Sequence, residues 1–560
     1  MKHEIALLIS KQTTFNAKDV ELLLTVPPDP KLGDYAFPCF TLGKNPHQEA
    51  EKLQQILSQK LPAFIAKIEV VGPYLNFFVK SAGLAEETLQ SIHKTKKKYG
   101  SGKEKKNVVI EYCGPNTNKP LHLGHLRNIA LGNATAKILA FRGNRVHAVN
   151  IINDRGIHIC QSMLAYQKWG KNKKPDKKGD HFVGDYYVLF AQKADHDPGL
   201  QKEAQEMLVQ WERGDRTTRA LWKKMTTWVL KGFKETYHRL GIQFEKEYFE
   251  SDYYEKGKEL VQEGLKQKVF VKDSSGAVIA PLQKYGVSDK ILLRGDETSL
   301  YITQDMYLAA LRYHDFTFDQ MIYVVASEQQ LHFQQLFTIL KLLRKPYASK
   351  MHHLSYGLVH LPSGRMKSRE GTVVDADDIM EEVALLARQE VTKRYSALSS
   401  AEIKKRAEFI SQAALKFFLL RSDTVKDITF NPEESLNFDG ETGPYVQYTH
   451  ARACSILRKA KKSTGKVQFN LLVQPQEHLL VKLLADFPQK VDAAAQHYKP
   501  HLLCHYLISL SQGFNDFYHS TPVISDDLEL MKARLLLVDC VRQVLDTGLS
   551  LLGITAPERM

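Results

Sequence analysis

The pattern of hydrophobic and polar positions divides the chain into three stretches of different character. Over residues 1–90 helical and strand-like patterns alternate, closing on the β-rich run Val71-Gly-Pro-Tyr-Leu-Asn-Phe-Phe-Val79. A Lys-rich, Gly-containing segment from Lys94 to Lys106 reads as a linker. A buried-strand pattern then begins at Val108-Val-Ile-Glu-Tyr112, followed by the breaker cluster Cys113-Gly-Pro-Asn-Thr-Asn-Lys-Pro120. From His122 to Phe141 apolar residues recur at 123, 126, 130, 134 and 138, which is helical spacing, and Arg145 to Asn150 reads as the next strand. Strand, loop, helix, strand opens a right-handed βαβ unit and predicts a Rossmann-like α/β fold with a doubly wound parallel sheet. Further strands are expected at Gln320–Ala326 and around Leu354–Leu361. From Asp377 onward long amphipathic segments take over (377–397, 401–421, 442–461, 476–496, 499–519 and 527–552), predicting an all-helical region. The expected organisation is therefore an α+β module over 1–100, a parallel-sheet domain over 107–376 and a helical region over 377–560.

Composition changes this picture in one respect. Of 560 residues, 43% are hydrophobic and 25% charged, which is ordinary for a globular chain, and no apolar run approaches the ~18 residues of a membrane span. The six cysteines are far apart with no CxxC pair, which excludes a zinc ribbon and suits a reducing cytoplasm. The anomaly is charge. Lys and Arg number 77 against 63 Asp and Glu, a net +14, and two stretches, 91–106 at +6 and 168–178 at +5, hold most of it. Each could be a solvated loop; together they point to a polyanionic partner, nucleic acid first.

Candidate chemistry concentrates after the first strand of the sheet, at Lys119-Pro-Leu-His122-Leu-Gly124-His125. In an open α/β sheet ligands bind where a strand ends and its helix begins, and the helix N-terminus there favours phosphates. Two imidazoles three residues apart face the same way and can both donate to phosphate oxygens. Gly124 between them leaves room for a planar base against the backbone. No nearby carboxylate or third histidine completes a metal site.

His122-Leu-Gly-His125 resembles the HIGH motif of class I aminoacyl-tRNA synthetases, and Gly364-Arg-Met-Lys-Ser-Arg-Glu-Gly371 resembles their second signature loop, KMSKS. In the latter Met366 is retained and Ser368 stands in the place of the second lysine. The resemblance narrows to the arginyl-tRNA synthetase family, bacterial type. Glu111-Tyr-Cys-Gly-Pro-Asn116-Thr-Asn-Lys119-Pro is similar to its E-x-S-x-P-N-x-x-K-P run, and Val149-Asn-Ile-Ile-Asn-Asp154-Arg-Gly156 to its V-N-x-x-G-D-W-G segment. Tyr301-Ile-Thr-Gln-Asp305 and Ser327-Glu-Gln329-Gln-Leu-His332 resemble its Y-x-T-x-D and S-x-Q-x-x-H. Phe438 to Tyr448 is similar to the opening of its anticodon-binding domain. The departures are Cys113 and Gly114, where serine is usual, and Asn153 and Arg155 in place of Gly and Trp.

What the resemblance implies is specific. Arginine and ATP, with Mg²⁺ arriving on the ATP and no protein-bound zinc, give arginyl-adenylate, and the arginyl group then passes to the 3′-terminal adenosine of tRNA(Arg). Activation is expected to need bound tRNA. ATP would lie on His122, Gly124, His125, Arg365, Met366, Lys367 and Ser368, with His122, His125 and Lys119 catalytic. Arginine would lie among Glu111, Asn116, Tyr301, Asp305 and Gln329, with Asp305 facing the guanidinium, whose planar charge suits a carboxylate. Tyr74 and Asn76 would read a D-loop base, and Tyr445, Tyr448 and Tyr518 the anticodon. Tyr445 and Tyr448 share a helical face that could equally be core. A monomer in the cytoplasm, with no membrane partner, is expected. A small nucleotidyltransferase or a non-catalytic RNA-binding paralogue are the competing classes. The first needs neither flanking region, and the second is favoured by the altered 364–371 loop.

Overall fold

The computed structural model describes residues 2–27, 29–62, 64–296, 298–362, 374–460 and 465–560. The N-terminal part packs helices Lys2–Ser10, Ala17–Leu23 and Pro46–Ser58 with an antiparallel sheet of β1 (Tyr35–Pro38), β2 (Ile65–Val71) and β3 (Tyr74–Val79), ordered β1-β3-β2. Along β3 the pleat sends Leu75, Phe77 and Val79 into the core, leaving Tyr74 exposed at the strand's start.

The central sheet is wholly parallel and five-stranded. Its strands are β4 (Asn107–Glu111), β5 (Arg145–Ile152), β6 (Lys246–Phe249), β10 (Gln320–Ala326) and β11 (Met351–Tyr356), in the order β11-β10-β4-β5-β6. Between β6 and β10 a small antiparallel sheet is formed by β7 (Val271–Lys272), β8 (Val278–Ala280) and β9 (Lys290–Leu293). Both faces of the parallel sheet are covered, as its continuous apolar strands require. On β4, Val108 and Ile110 enter the core shared with the helical region, and Val109 enters a second core beneath helices Tyr301–Phe316 and Gln330–Leu342. The strand order reverses direction at β4, so the crevice for a ligand lies at the C-terminal ends of β4 and β10. Helix Leu123–Phe141 crosses close above Tyr112. A Cβ on Gly132 would lie 2.3 Å from the Tyr112 ring, so only glycine permits that approach.

Helices Ala376–Arg394, Ser400–Leu420, Gly443–Lys459, Pro475–His497, His501–Ser520 and Leu528–Leu551 form the C-terminal region, close to the six segments that amphipathic spacing predicts. This region is bound to the sheet by Arg127, which is fully buried on helix Leu123–Phe141. Its guanidinium donates to the carbonyls of Gly357 (2.6 Å) and Leu358 (3.0 Å) on one side, and of Lys426 (2.8 Å) and Thr424 (3.3 Å) on the other. Beside it, Val359–His360 pairs in parallel with Ile428–Thr429. The N-terminal part docks on the same helices. Tyr99 stacks on Phe487 and donates to the Leu484 carbonyl at 3.0 Å, and Lys482 reaches Asp34 at 2.6 Å.

Replacing Arg127 by Met would strand four carbonyls, those of Gly357 and Thr424 in buried hydrogen bonds. Unfolding in urea should show a loss of about 3–5 kcal/mol, the scale seen when one partner of a buried charged network is removed. A loss below 1 kcal/mol would mean that water or a backbone shift replaces the guanidinium.

Candidate active site

A cavity of about 410 Å³ opens at the C-terminal ends of β4 and β10. His122, Gly124 and His125 form one wall. Glu111 and Cys113 lie at the end of β4. Asp305, Gln329 and His332 form the opposite side, from the helices that follow β9 and β10.

The two histidines are arranged by their own backbone. His122 caps helix Leu123–Phe141; its Nδ1 accepts the Gly124 N–H at 3.2 Å, and the Nδ1 of His125 accepts the His122 N–H at 3.1 Å. With both Nδ1 atoms accepting, each ring carries its proton on Nε2 and offers that N–H outward. Burial, reinforced by the nearby Lys119 charge, pushes His122 down to about 3 and His125 well below its usual value. They are neutral donors. Any charge stabilisation from this turn therefore comes from dipoles rather than from imidazolium. Gly124 also has a different use from the one its position suggests. A Cβ there would stand 3.0 Å from Cε1 of His122, so the space is taken by that ring.

Lys119 is half-buried in the loop just before, outside the cavity wall. Burial lowers its pKa and the Asp375 carboxylate raises it again. Asp375 pairs with His122 through an antiparallel bridge, and the Ala376 N–H donates to the Leu121 carbonyl at 2.8 Å. The chain that follows the second signature loop is thus fastened to the first. Arg365, Met366, Lys367 and Ser368 lie outside the described residues. Behind Asp375 sits a cluster that periodicity and motif did not reveal. The Nζ of Lys178 meets Asp377 at 2.6 Å, Thr236 at 2.6 Å and the fully buried Asp180 at 2.9 Å, and His181 Nε2 meets Asp377 at 2.8 Å. Among the described residues, Asp180, His181 and Asp377 converge as metal ligands would, but the Lys178 ammonium supplies the cation there. Burial alone would raise the Asp377 carboxyl; the hydrogen bonds from His181 and Lys178 win and hold it near about 2. Pairing of this kind partly neutralises the 168–178 run, in which Lys171 and Lys174 are exposed. Lys168, Lys173, Lys177 and Lys178 each meet a carboxylate.

Of the residues expected around arginine, the structure gathers Glu111, Asp305 and Gln329 on the cavity and leaves two outside its wall. Tyr301 is 74% exposed at the start of Asp305's helix. Asn116 is exposed in the loop, bridged by its backbone to Asn153. The carboxylate of Glu111 is paired with the buried guanidinium of Arg312. Asp305 is paired differently, accepting a hydrogen bond from Nε2 of His332 at 2.7 Å. Arg312 lies on the same helix as Asp305, seven residues on, and no sequence signal separated it from an ordinary surface arginine. His332 stands in the S-x-Q-x-x-H run, where only its spacing marked it.

The family's departures also find physical accounts. Cys113 is a non-glycine residue at φ +84°, its N–H bound by Asn128 at 2.6 Å and its thiol 3.3 Å from the Tyr237 hydroxyl. Arg155 lies 4.0 Å over the Tyr254 ring, pairs with Glu212 and reaches Glu250 at 3.7 Å. Burial still pushes the Glu250 carboxyl up to about 7.

On the candidate nucleic-acid surfaces, Tyr74 is exposed and meets the exposed Phe40 edge-on at 5.5 Å. Asn76 is not beside it at the surface. At 2% exposure it is covered, so the base-edge contact expected of its amide is not presented to a partner. Tyr448 and Tyr518 flank the guanidinium of Arg452 at 4.8 and 5.0 Å. Tyr445 joins the group through Asn515, which donates to its hydroxyl at 2.9 Å and accepts from Arg452 at 2.8 Å. Arg452 and Asn515 were not singled out by the sequence.

A family model for class I tRNA synthetases (R), catalytic domain, matches residues 88–432. An arginyl tRNA synthetase N terminal domain matches 1–79 and a DALR anticodon binding domain matches 446–560. The chain is 43% identical to the arginine–tRNA ligase of Treponema denticola over 99% of its length and 97% of the relative's. It is 44% identical to that of Bacteroides fragilis over 94% and 92%. Arginyl-tRNA synthetase from Thermus thermophilus superimposes with a TM-score of 0.84 at 30% identity, covering 96% of each chain. Sequence, sheet topology and helical C-terminal region agree, and the chain belongs to the arginyl-tRNA synthetase family.

Proposed function

We propose that the β4/β10 cavity is where this arginine–tRNA ligase brings L-arginine and ATP together, with Asp305 as the partner of the guanidinium. The observation that carries this reading is the placement of the Asp305 carboxylate on the cavity that His122 and His125 also line, where its partner among the contacts described is Nε2 of His332 and no lysine or arginine. The arginine carboxylate attacks the α-phosphate in line and pyrophosphate leaves, so no protein nucleophile is required. The Nε2–H groups of His122 and His125 act as fixed, neutral donors to the phosphates, and Mg²⁺ travels with ATP as part of the substrate. Gln329 flanks the arginine, and Asn116 and Tyr301 are assigned to it by the family pattern alone, since both lie outside the wall. The reading calls for no zinc.

The tRNA contacts are assigned by exposure and stacking. The Tyr74–Phe40 pair suits a D-loop base, and the Tyr445, Tyr448, Tyr518 and Arg452 group suits splayed anticodon bases. No helix among the described residues is long and apolar enough to cross a membrane. The chain is assigned to the cytoplasm, a reading supported by six buried, unpaired cysteines. It is assigned as a monomer on the family resemblance. Arginine-dependent, tRNA-dependent exchange of pyrophosphate into ATP tests the whole reading, and its absence would favour a non-catalytic RNA-binding role.

Two substitutions test the parts. Asp305→Asn keeps the shape and removes the charge, which costs ~1.5–3 kcal/mol for a charged hydrogen bond. The KM for arginine should rise ten- to a hundredfold in that range, with the KM for ATP unchanged. An arginine KM at the wild-type value sinks the pocket assignment. Lys119→Ala should slow activation by one or more powers of ten, about 1.4 kcal/mol each in the barrier, and by more than Lys367→Ala does. Equal or reversed effects would place the catalytic cation in the 364–371 loop.

A further inference from the structure

Two carboxylates on the same cavity are treated in opposite ways. Glu111 is neutralised by the guanidinium of Arg312, a buried cation that also lies 5.3 Å from the Tyr248 ring and 5.4 Å from the Tyr323 ring. Asp305 receives a hydrogen bond from an imidazole instead, His332 Nε2 to Oδ2 at 2.7 Å. The His332 side chain is the more enclosed of the two, 18% exposed against 31% for Asp305. Its ring is set edge-on to Phe333 at 5.5 Å, and Phe333 in turn stacks on His353 at 4.4 Å. The imidazole is therefore held by an aromatic column while the carboxylate it binds faces open space.

We propose that His332 is the positioning residue for amino-acid recognition: it fixes the plane of the Asp305 carboxylate by one hydrogen bond, from a side chain with no permanent charge, and leaves that carboxylate for a cationic substrate side chain. This rests on the reading of Asp305 as the guanidinium partner. The physical need is clear. A guanidinium is best held by two parallel, coplanar hydrogen bonds, and the terminal torsion of an aspartate is broad, so an unheld carboxylate would lose that alignment. A lysine or arginine in place of His332 would hold it equally well and cancel it, as Arg312 does for Glu111. An imidazole can donate that hydrogen bond without carrying a permanent charge.

The test is steady-state pyrophosphate exchange with full-length His332→Gln, His332→Asn and His332→Lys, each checked for an unchanged melting temperature. Glutamine places an amide nitrogen near the position of Nε2, whereas asparagine is too short to reach Asp305. His332→Gln should keep the arginine KM within about threefold, and His332→Asn should raise it about tenfold, the scale of one hydrogen bond to a charged group. His332→Lys, which folds the same donor with a permanent charge, should raise it further still. The KM for ATP should stay constant in all three. Equal arginine KM values for the Gln and Asn variants would overturn the proposal, as would a lysine variant that behaves like glutamine. Asp305→Asn is run alongside. If it raises the arginine KM while His332→Asn does not, only the role of His332 falls. If it too has no effect, the pocket reading itself fails.

Discussion

The guanidinium of Arg127 is the point on which the rest of the structure hangs. It is a buried cation answered by four backbone carbonyls, from Gly357 and Leu358 on one segment and Thr424 and Lys426 on another. A guanidinium has five donors in a rigid plane, so it can bind two chain segments at once where a lysine could bind only at a point. The first segment leads from β11 toward the second signature loop, and the second lies between helices Ser400–Leu420 and Gly443–Lys459. Arg127 itself rides on the helix that His122 caps. The Asp427 carboxylate adds a bond from the Leu358 N–H at 2.7 Å, and the short parallel strand pair runs alongside. The turn of His122, the segment that follows β11 and the helical region are thereby tied to one side chain.

Around that frame the cavity is lined mainly by apolar side chains, with the imidazoles of His122 and His125 and the carboxylates of Glu111, Asp305 and Glu328 among them. Backbone N–H groups occupy the Nδ1 atoms of both histidines, which fixes the tautomer and keeps the rings uncharged. Formal charges are paired in the second layer, Lys178 with Asp180 and Asp377, Arg155 with Glu212 and Glu250, Arg312 with Glu111. A site that must accept a cationic amino acid and a polyanionic nucleotide side by side gains from such a background. Fixed dipoles need no reorganisation as charge moves toward pyrophosphate.

How much of this could be read in the sequence follows from how local each signal is. The six C-terminal helices were legible because each repeats an apolar stripe over more than four turns, and the strand–loop–helix opening was legible because its breaker cluster is dense. His122, His125 and Asp305 were legible from motif spacing. Strands β6 to β9 were not: they are two to four residues long, too short for any period to show. The helices between Ile157 and Leu240 were equally invisible to a reading that looked for strands. Arg127, Arg312 and Lys178 were missed for a different reason. A charged residue on an amphipathic helix reads as solvent-facing, and only the fold reveals that carbonyls or carboxylates await it. Asn76 fails in the opposite sense, since a polar residue beside an exposed tyrosine reads as surface and is covered.

The docking of the N-terminal part onto the last helices has a consequence for how the chain comes into being. Tyr99 and its acceptor at Leu484 are 385 residues apart, and Cys540 touches the Leu89 carbonyl across 451. At a synthesis rate of ~5–20 residues per second, a ribosome delivers Leu484 roughly 20–80 s after Tyr99 has been made. Through that interval Leu89 and Ile92, fully buried in the finished protein, have no partner to bury them. Helix Ser81–Thr95 must wait as an uncovered apolar stripe on an otherwise completed module, which makes the nascent chain, rather than the folded enzyme, the form most exposed to aggregation and most in need of a chaperone.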